Sequence, residues 1–217
     1  FNSFQIAFNS PYFSFMAEPY LIPGKFLSVD GINREGSFSL LNDRPLSESQ
    51  KPGNGGFRNF LAFLHYKGLG FGWHEGNRWW GPGIHTSLQM TNNTQPLPAQ
   101  IIGTIQEIRI GSFGLYGLYT FARLNEKTGY EAKYLTSLNG QVSWYGPILL
   151  SLGFSRNYLS GGVVSNGYLW TESDAKFVVF EGVFTSNLVK HEYTNIRGGD
   201  PWDQTLSGYV TVTLPNR

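Results

Sequence analysis

The residues with the most chemistry to offer lie between positions 77 and 98. They read Asn77-Arg78-Trp79-Trp80-Gly81-Pro82-Gly83, then Ser87-Leu88-Gln89-Met90-Thr91-Asn92-Asn93, then Pro96-Leu97-Pro98. Trp79 and Trp80 offer broad flat apolar faces, each with one N–H donor at its edge. Pyranose rings stack their C–H groups on such faces. Arg78 presents a planar fork of donors that matches a sugar carboxylate bidentately. Asn92, Asn93 and Gln95 add amide donors and acceptors that suit sugar hydroxyls. The same residues also fit a structural plug, in which two rings and a guanidinium fix a loop. Gly-Pro-Gly specifies backbone shape, and Asn readily bonds its own backbone in turns. Both readings put the cluster at a turn rather than inside a helix or a central strand.

Other reactive side chains form no comparable constellation. The four histidines, His65, His74, His85 and His191, lack metal-ligand spacing, and a zinc site would need a third ligand that the sequence does not indicate. His74-Glu75 could meet Asp200 or Asp203 as an acid/base pair, but a chain with 15 carboxylates allows many such pairs. There is no phosphate-binding Gly loop and no nucleophile elbow. The expectation is a binding protein rather than an enzyme, with no metal and no cofactor.

The elements that must hold the cluster are strands. Residues 3–17 alternate, with Phe4, Ile6 and Phe8 on one face and, after Ser10-Pro11, Phe13, Phe15 and Ala17 on one face again. Residues 18–56 read as a long loop with one short strand at 26–29, between the breakers Leu21-Ile22-Pro23-Gly24 and Lys51-Pro52-Gly53-Asn54-Gly55-Gly56. Residues 59–66 and 69–74 form a hairpin turning at Lys67-Gly68, and its second arm feeds the Trp-Trp cluster. A short polar strand follows at 87–92. Residues 93–98 read as a loop, because two prolines exclude a central strand. Strands then cover 101–110, 112–124 (Phe113, Leu115, Tyr119 and Phe121 sharing a face) and 130–145, with turns at 125–129 and at Tyr145-Gly146-Pro147. In the next strand, Ile148, Leu150, Leu152 and Phe154 alternate with Leu149, Ser151, Gly153 and Ser155. The segment 160–200 is ambiguous: Phe177-Val178-Val179-Phe180 has strand character, while Ser173-Asp174 before residues 176–184 equally fits a capped helix. A final strand at 206–214 sets Val210 and Val212 against Tyr209. No repeat or domain linker interrupts the chain.

Composition narrows the class. Charged residues are 14% and aromatics 16%, with 27 glycines and no cysteine in 217 residues. Mean hydropathy is nevertheless −0.22, so Ser, Thr, Asn, Gln and Gly carry the polarity. This balance suits a transmembrane β-barrel with a polar lumen and an apolar outer band, and secreted β-sandwich lectins can look similar. Net charge is +1 with no two Lys or Arg adjacent, which argues against nucleic acid as a partner. No apolar stretch approaches the length of a transmembrane helix. Strands of ten or so residues joined by tight turns on one side are what a tilted membrane barrel requires. In that setting Trp144, Tyr145, Tyr168, Trp170 and Trp202 fit interfacial girdle positions better than sugar platforms. Arg109, Arg123 and Arg156 are then expected to face the lumen and bias it toward anions, with a rim position or an internal ion pair as the other reading.

Arg78-Trp79-Trp80-Gly81-Pro82-Gly83, followed by Ser87-Leu88, Asn92-Asn93 and Pro96-x-Pro98, resembles the signature of the Wzi-type capsule-assembly outer-membrane proteins. Leu152-Gly153-Phe154-Ser155-Arg156 with Gly161-Gly162, and Asp203-Gln204-x-Leu206-x-Gly208, are similar to further family stretches. The resemblance spans about residues 78–214. It implies an antiparallel outer-membrane β-barrel lectin that binds capsular or other surface polysaccharide and anchors it at the cell surface. Outer-membrane lipid and other envelope proteins are the further partners it implies. It assigns Arg78, Trp79, Trp80, Asn92 and Asn93 to the carbohydrate. Members are about twice this length, and such barrels usually end on an aromatic, whereas this chain ends Pro215-Asn216-Arg217. The expectation is therefore a single domain over 1–217 that is a partial barrel, incomplete at its C-terminus. At about 20 residues per strand and loop, it would supply on the order of ten strands. Two other functions fit the same fold: a structural subunit of a larger outer-membrane assembly, and a diffusion channel for sugars or anions.

Overall fold

A computed structural model describes residues 2–21, 55–76, 97–124, 132–161, 170–180 and 202–214. The side chains of residues 2, 3 and 202 lie outside that description. The fold is all-β: a single antiparallel sheet with one short helix. Its strands are β1 (Asn2–Ser3), β2 (Ile6–Asn9), β3 (Phe13–Leu21), β4 (Gly55–Tyr66), β5 (Leu69–Gly76), β6 (Leu97–Thr104), β7 (Ile108–Ile110), β8 (Phe113–Arg123), β9 (Tyr134–Tyr145), β10 (Leu149–Ser160) and β11 (Trp202–Thr213). The sheet order is β1-β3-β4-β5-β6-β8-β9-β10-β11. β2 continues the line of β1 along β3, and β7 continues that of β6 along β8. Each line therefore pairs with its neighbour in the chain, so the order follows sequence throughout. Among the described residues the sheet is open, with the β1/β2 line and β11 as its edges.

Period-2 patterning sets the register. β9 and β10 pair without a break from Tyr145↔Leu149 to Tyr134↔Ser160, and β10 pairs with β11 from Leu149↔Thr213 to Ser160↔Trp202. A slip of one residue would turn every Leu and Phe of these strands onto the opposite face. The β4–β5 hairpin closes through Lys67 (φ 51°) and Gly68 (φ 85°), a two-residue turn whose positive φ values match the twist of the flanking strands. Gly is the natural residue at the second position, and Lys at the first accepts an uncommon conformation.

Several expectations change in detail. β3 runs on to Leu21 and β4 begins at Gly55. Pro98 lies inside β6, not in a loop: it pairs with Glu75 of β5, while β8 joins β6 only from Gln100 on. The strand start is thus locally an edge, where a missing N–H is tolerated. The expected strand over 101–110 is broken at 105–107 into β6 and β7. The expected turn at 125–129, the strand at 26–29 and the strand at 87–92 lie outside the described residues.

The two faces of the sheet differ sharply. One carries Ile6 and Phe8, Leu64 and Tyr66, Leu69, Phe71 and Trp73, Ile102, Phe113 and Leu115, Val142 and Trp144, Leu152 and Phe154, and Leu206, Val210 and Val212. All of these are large, apolar and exposed. The other face carries Ser14, Thr120, Ser137, Asn139, Ser143, Ser151, Ser155 and Asn157, all buried. Toward β4–β6 this second face also buries Phe63, Ala99 and Ile101, beside Gly70 and Gly72. At both glycines a Cβ would collide with the backbone of β4, at Leu64 and Ala62 respectively. Only glycine lets the two strands approach this closely.

Candidate functional site

The strand bounds separate two ends of the sheet. At one end the chain reverses tightly, at 10–12, 67–68, 111–112 and 146–148. At the other it makes long excursions, at 22–54, 77–96, 124–133 and 161–201. Arg78, Trp79, Trp80, Asn92 and Asn93 belong to the second of these excursions and lie outside the described residues. The excursion leaves β5 at Gly76 and returns at Leu97, two residues that pair with each other. The sequence motif is thus tethered at both ends to one rung of the ladder.

The sheet beneath that rung does not bring Asp203 to the His74-Glu75 pair raised from the sequence. His74 and Glu75 are consecutive in β5 and fall on opposite faces. Asp203 is on β11, with β6, β8, β9 and β10 between it and β5. Asp200, His85 and His191 lie outside the described residues. No group of three or more His, Cys, Asp or Glu able to hold a metal occurs among the described residues.

The best-defined feature at the long-connection end is a docked helix, α1 (Glu172–Phe177), followed by a 3₁₀ turn (Val178–Phe180). Thr171 caps it: its hydroxyl accepts from the Asp174 N–H at 3.2 Å, and Asp174 accepts from the Thr171 N–H at 3.0 Å. This capping box satisfies donors that the first turn leaves unpaired. The spacing Thr171-x-x-Asp174 is a readable signal, two residues ahead of the Ser173 start considered from the sequence. The helix lies on the apolar face of the sheet. Trp170, Ala175, Val178 and Val179 pack with Phe121, Tyr134 and Tyr158, and Phe180 stacks on Tyr119 at 5.5 Å.

Polar side chains of that face then bind the carbonyls at the helix end. Thr136 donates to Ala175 O at 2.5 Å, Tyr119 to Lys176 O at 2.9 Å and Arg156 to Val179 O at 3.1 Å. These are acceptors that a helix C-terminus leaves open. Arg156 therefore does not face the polar side as expected. It sits on the apolar face, where the helix covers it, and its charge is spent on a carbonyl and on the Tyr158 hydroxyl at 2.5 Å. Trp170 likewise is no girdle residue, being 1% exposed in the helix contact. Arg123 ends β8 on the same apolar face and is exposed.

On the polar face the hydroxyls and amides pair laterally. Ser143 and Ser151 lie 3.0 Å apart, Ser155 donates to Asn139 at 2.5 Å, and Tyr209 reaches over Gly153 to donate to Gln141 at 2.8 Å. Arg109 does turn to this face. Its guanidinium stacks on the Tyr145 ring at 3.7 Å and pairs with Glu107 at 3.8 Å, and the Tyr145 hydroxyl also donates to Glu107. Of the three arginines this one fits the internal ion-pair reading. Trp144 is exposed on the apolar face, one residue from Tyr145 on the other, as a girdle ring would be. Tyr168 and the Trp202 side chain lie outside the described residues.

No family model matches the chain, and no characterised protein or solved structure is significantly similar to it.

Proposed function

We propose that the chain forms wall strands of an outer-membrane β-barrel, with its apolar face toward lipid, its polar face toward the lumen and its long connections at the cell surface. The observation that carries this reading is the inversion of the faces. A soluble monomer rarely exposes a contiguous apolar patch of more than a few hundred Å². Here exposed Leu, Ile, Val, Phe, Tyr and Trp run across strands from β2 to β11. Fully burying one such side chain is worth about 1.5–3 kcal/mol, so together they need a cover. A bilayer supplies it without any second protein layer.

Two further features support the reading. The strict alternation of tight turns and long connections matches outer-membrane barrels, whose periplasmic turns are short and whose outer loops are long. Strands β4, β9, β10 and β11 have 12 residues each. At about 3.3 Å per residue and a tilt of about 45°, each crosses roughly 28 Å, near the thickness of a hydrocarbon core.

Within that barrel, the function is to bind capsular or another surface polysaccharide and hold it at the cell surface. Arg78, Trp79, Trp80, Asn92 and Asn93 are its contacts, and the likeness of their motif to the capsule-assembly family is the support. Glycan-array binding tests this: Trp79→Ala with Trp80→Ala is expected to abolish retention of an acidic polysaccharide, and unchanged retention would refute the assignment. The polar face of Ser, Thr and Asn also favours a second reading, a diffusion channel for sugars or anions. Planar-bilayer recording decides it, since a silent protein removes the channel.

A further inference from the structure

We infer that a groove at the tight-turn end of the sheet binds a small carboxylate-bearing polyol, such as a uronic acid unit. It lies at the opposite end of the strands from the 77–96 motif, so either assignment can fail without the other. The groove is a cavity of about 660 Å³ between the reversals at 10–12 and 67–68 and the break at 105–107. That volume is in the range of small-molecule sites. Backbone bonds clamp its walls together. His65 N donates to Tyr12 O at 2.8 Å, tying the first reversal to β4, and Ile105 N donates to Gly68 O at 3.2 Å, tying the break to the second. The Ser10 hydroxyl pins the first reversal, donating to Phe13 O and accepting from Phe13 N, both at 3.0 Å. The site is thus formed before a ligand arrives, which lowers the ordering cost of binding.

The lining holds one cation and no acid. Lys67 lies over the Tyr66 ring at 5.4 Å and has no carboxylate partner among the described residues. Glu107, the nearest acid in sequence, is engaged by Tyr145 and Arg109. The φ of 51° at Lys67 is one that Asn or Gly adopts more readily in a two-residue hairpin turn, so what lysine adds there is its ammonium. Two amides flank it. Asn9 Oδ1 accepts from the Ser14 hydroxyl at 2.6 Å; that hydrogen being committed, His65 Nε2 is the donor across its 2.9 Å contact with Ser14. This relay orients Asn9 and leaves its NH2 group for a ligand. Gln106, beside Gly68, keeps both ends of its amide open among the described residues. His65 Nδ1 is closed off from solvent, so the imidazole is a floor and not a contact. Tyr12 and Tyr66, stacked at 6.2 Å and both largely exposed, add ring faces. A cation for a carboxylate, amides for hydroxyls and ring faces for C–H groups make up the donor set of an acidic sugar. A single ammonium matches one carboxylate, and a phosphate dianion would leave charge unmet.

Saturation-transfer NMR on the purified chain in non-ionic detergent reads the binding of D-glucuronate, with D-glucose and inorganic phosphate as comparisons. Glucuronate is expected to bind at least about tenfold more tightly than either. Lys67→Asn suits the turn, so it is expected to weaken glucuronate at least about tenfold while the thermal midpoint holds or rises. Gln106→Ala is expected to weaken it about threefold with the fold intact. No binding of glucuronate, or full affinity in both variants, overturns the inference. Glucose bound as tightly as glucuronate overturns the carboxylate contact, and phosphate bound as tightly overturns the sugar assignment. In the Trp79→Ala, Trp80→Ala chain glucuronate binding is expected to persist; its loss would place the site at the other end of the sheet and overturn the groove. One sugar unit makes too few contacts to retain a polymer on an array, so retention there still reads the 77–96 motif.

Discussion

The two faces of the β9–β10–β11 sheet are made of the same strands and obey opposite rules. On one, Val142, Trp144, Leu152, Phe154, Val210 and Val212 are exposed, and among the described residues no second layer covers them. On the other, Ser143, Ser151, Ser155 and Asn139 are buried and hydrogen-bonded sideways to one another. In a water-soluble sheet the exposure would be the reverse, because apolar burial drives folding and polar burial must be compensated bond by bond. The difference teaches that local pattern and environment are separate pieces of information. Alternation makes a strand in either solvent, and only the identity of the exposed set says which solvent the sheet was selected for.

The comparison yields a rule that substitutions can break: the polar face is sensitive to volume and the apolar face to charge. The largest effect is expected for Gly72→Val on the second face, where the new Cβ would meet the Ala62 carbonyl and Phe63 backbone. Neither can move without opening the β4–β5 ladder, so a loss of at least about 3 kcal/mol is expected. Urea titration in vesicles reads it, and native stability would show that the close approach is dispensable. Next comes Leu152→Arg on the apolar face, with a loss of about 2–4 kcal/mol if the position lies near the bilayer midplane. The same change in detergent-free buffer would be nearly silent for a soluble sheet, since surface substitutions there stay within about ±0.5 kcal/mol.

Arg156→Leu sharpens the rule, because this charge sits on the apolar face under cover. Removing it leaves the Val179 carbonyl without that donor, at a cost of about 1–3 kcal/mol confined to the helix. Hydrogen exchange should loosen residues 172–180 and spare β9 and β10; uniform loosening would contradict the docking account. The smallest structural effect belongs to Trp79→Ala and Trp80→Ala. Stability is expected to change little while polysaccharide affinity falls at least tenfold, about 1.4 kcal/mol. If the two tryptophans instead fix a plug, the order reverses and stability falls first.

How much of this is legible in the sequence depends on whether a feature is local. The two hairpins turning at Lys67-Gly68 and Gly146-Pro147 read directly, because period 2 and these turns are local signals, although the strand expected over 130–145 begins only at Tyr134. Pro98 misleads, since its tolerance in β6 depends on where β8 begins to pair, a long-range matter. The break at 105–107 is hidden for the same reason. Arg156 is read to the wrong face because the rule that barrel charges point inward assumes a bare outer wall, and the segment that covers it lies about twenty residues downstream. The candidate sugar site is legible only as a motif. Its tether, the Gly76–Leu97 pair, comes from the ladder and not from the cluster.

The central claim is that one face of this sheet meets lipid and the other meets water, and β11 offers the most direct test. Residues 205–212 alternate between Thr205, Ser207, Tyr209 and Thr211 on one side and Leu206, Gly208, Val210 and Val212 on the other. Single cysteines at each position, in the membrane-reconstituted protein, are treated with a charged maleimide and scored by mass. The account predicts labelling at the odd positions and protection at the even ones, with lipid-soluble maleimide reversing the pattern. Equal labelling along the strand, or protection of the even positions that persists when the bilayer is removed without unfolding the sheet, would contradict it.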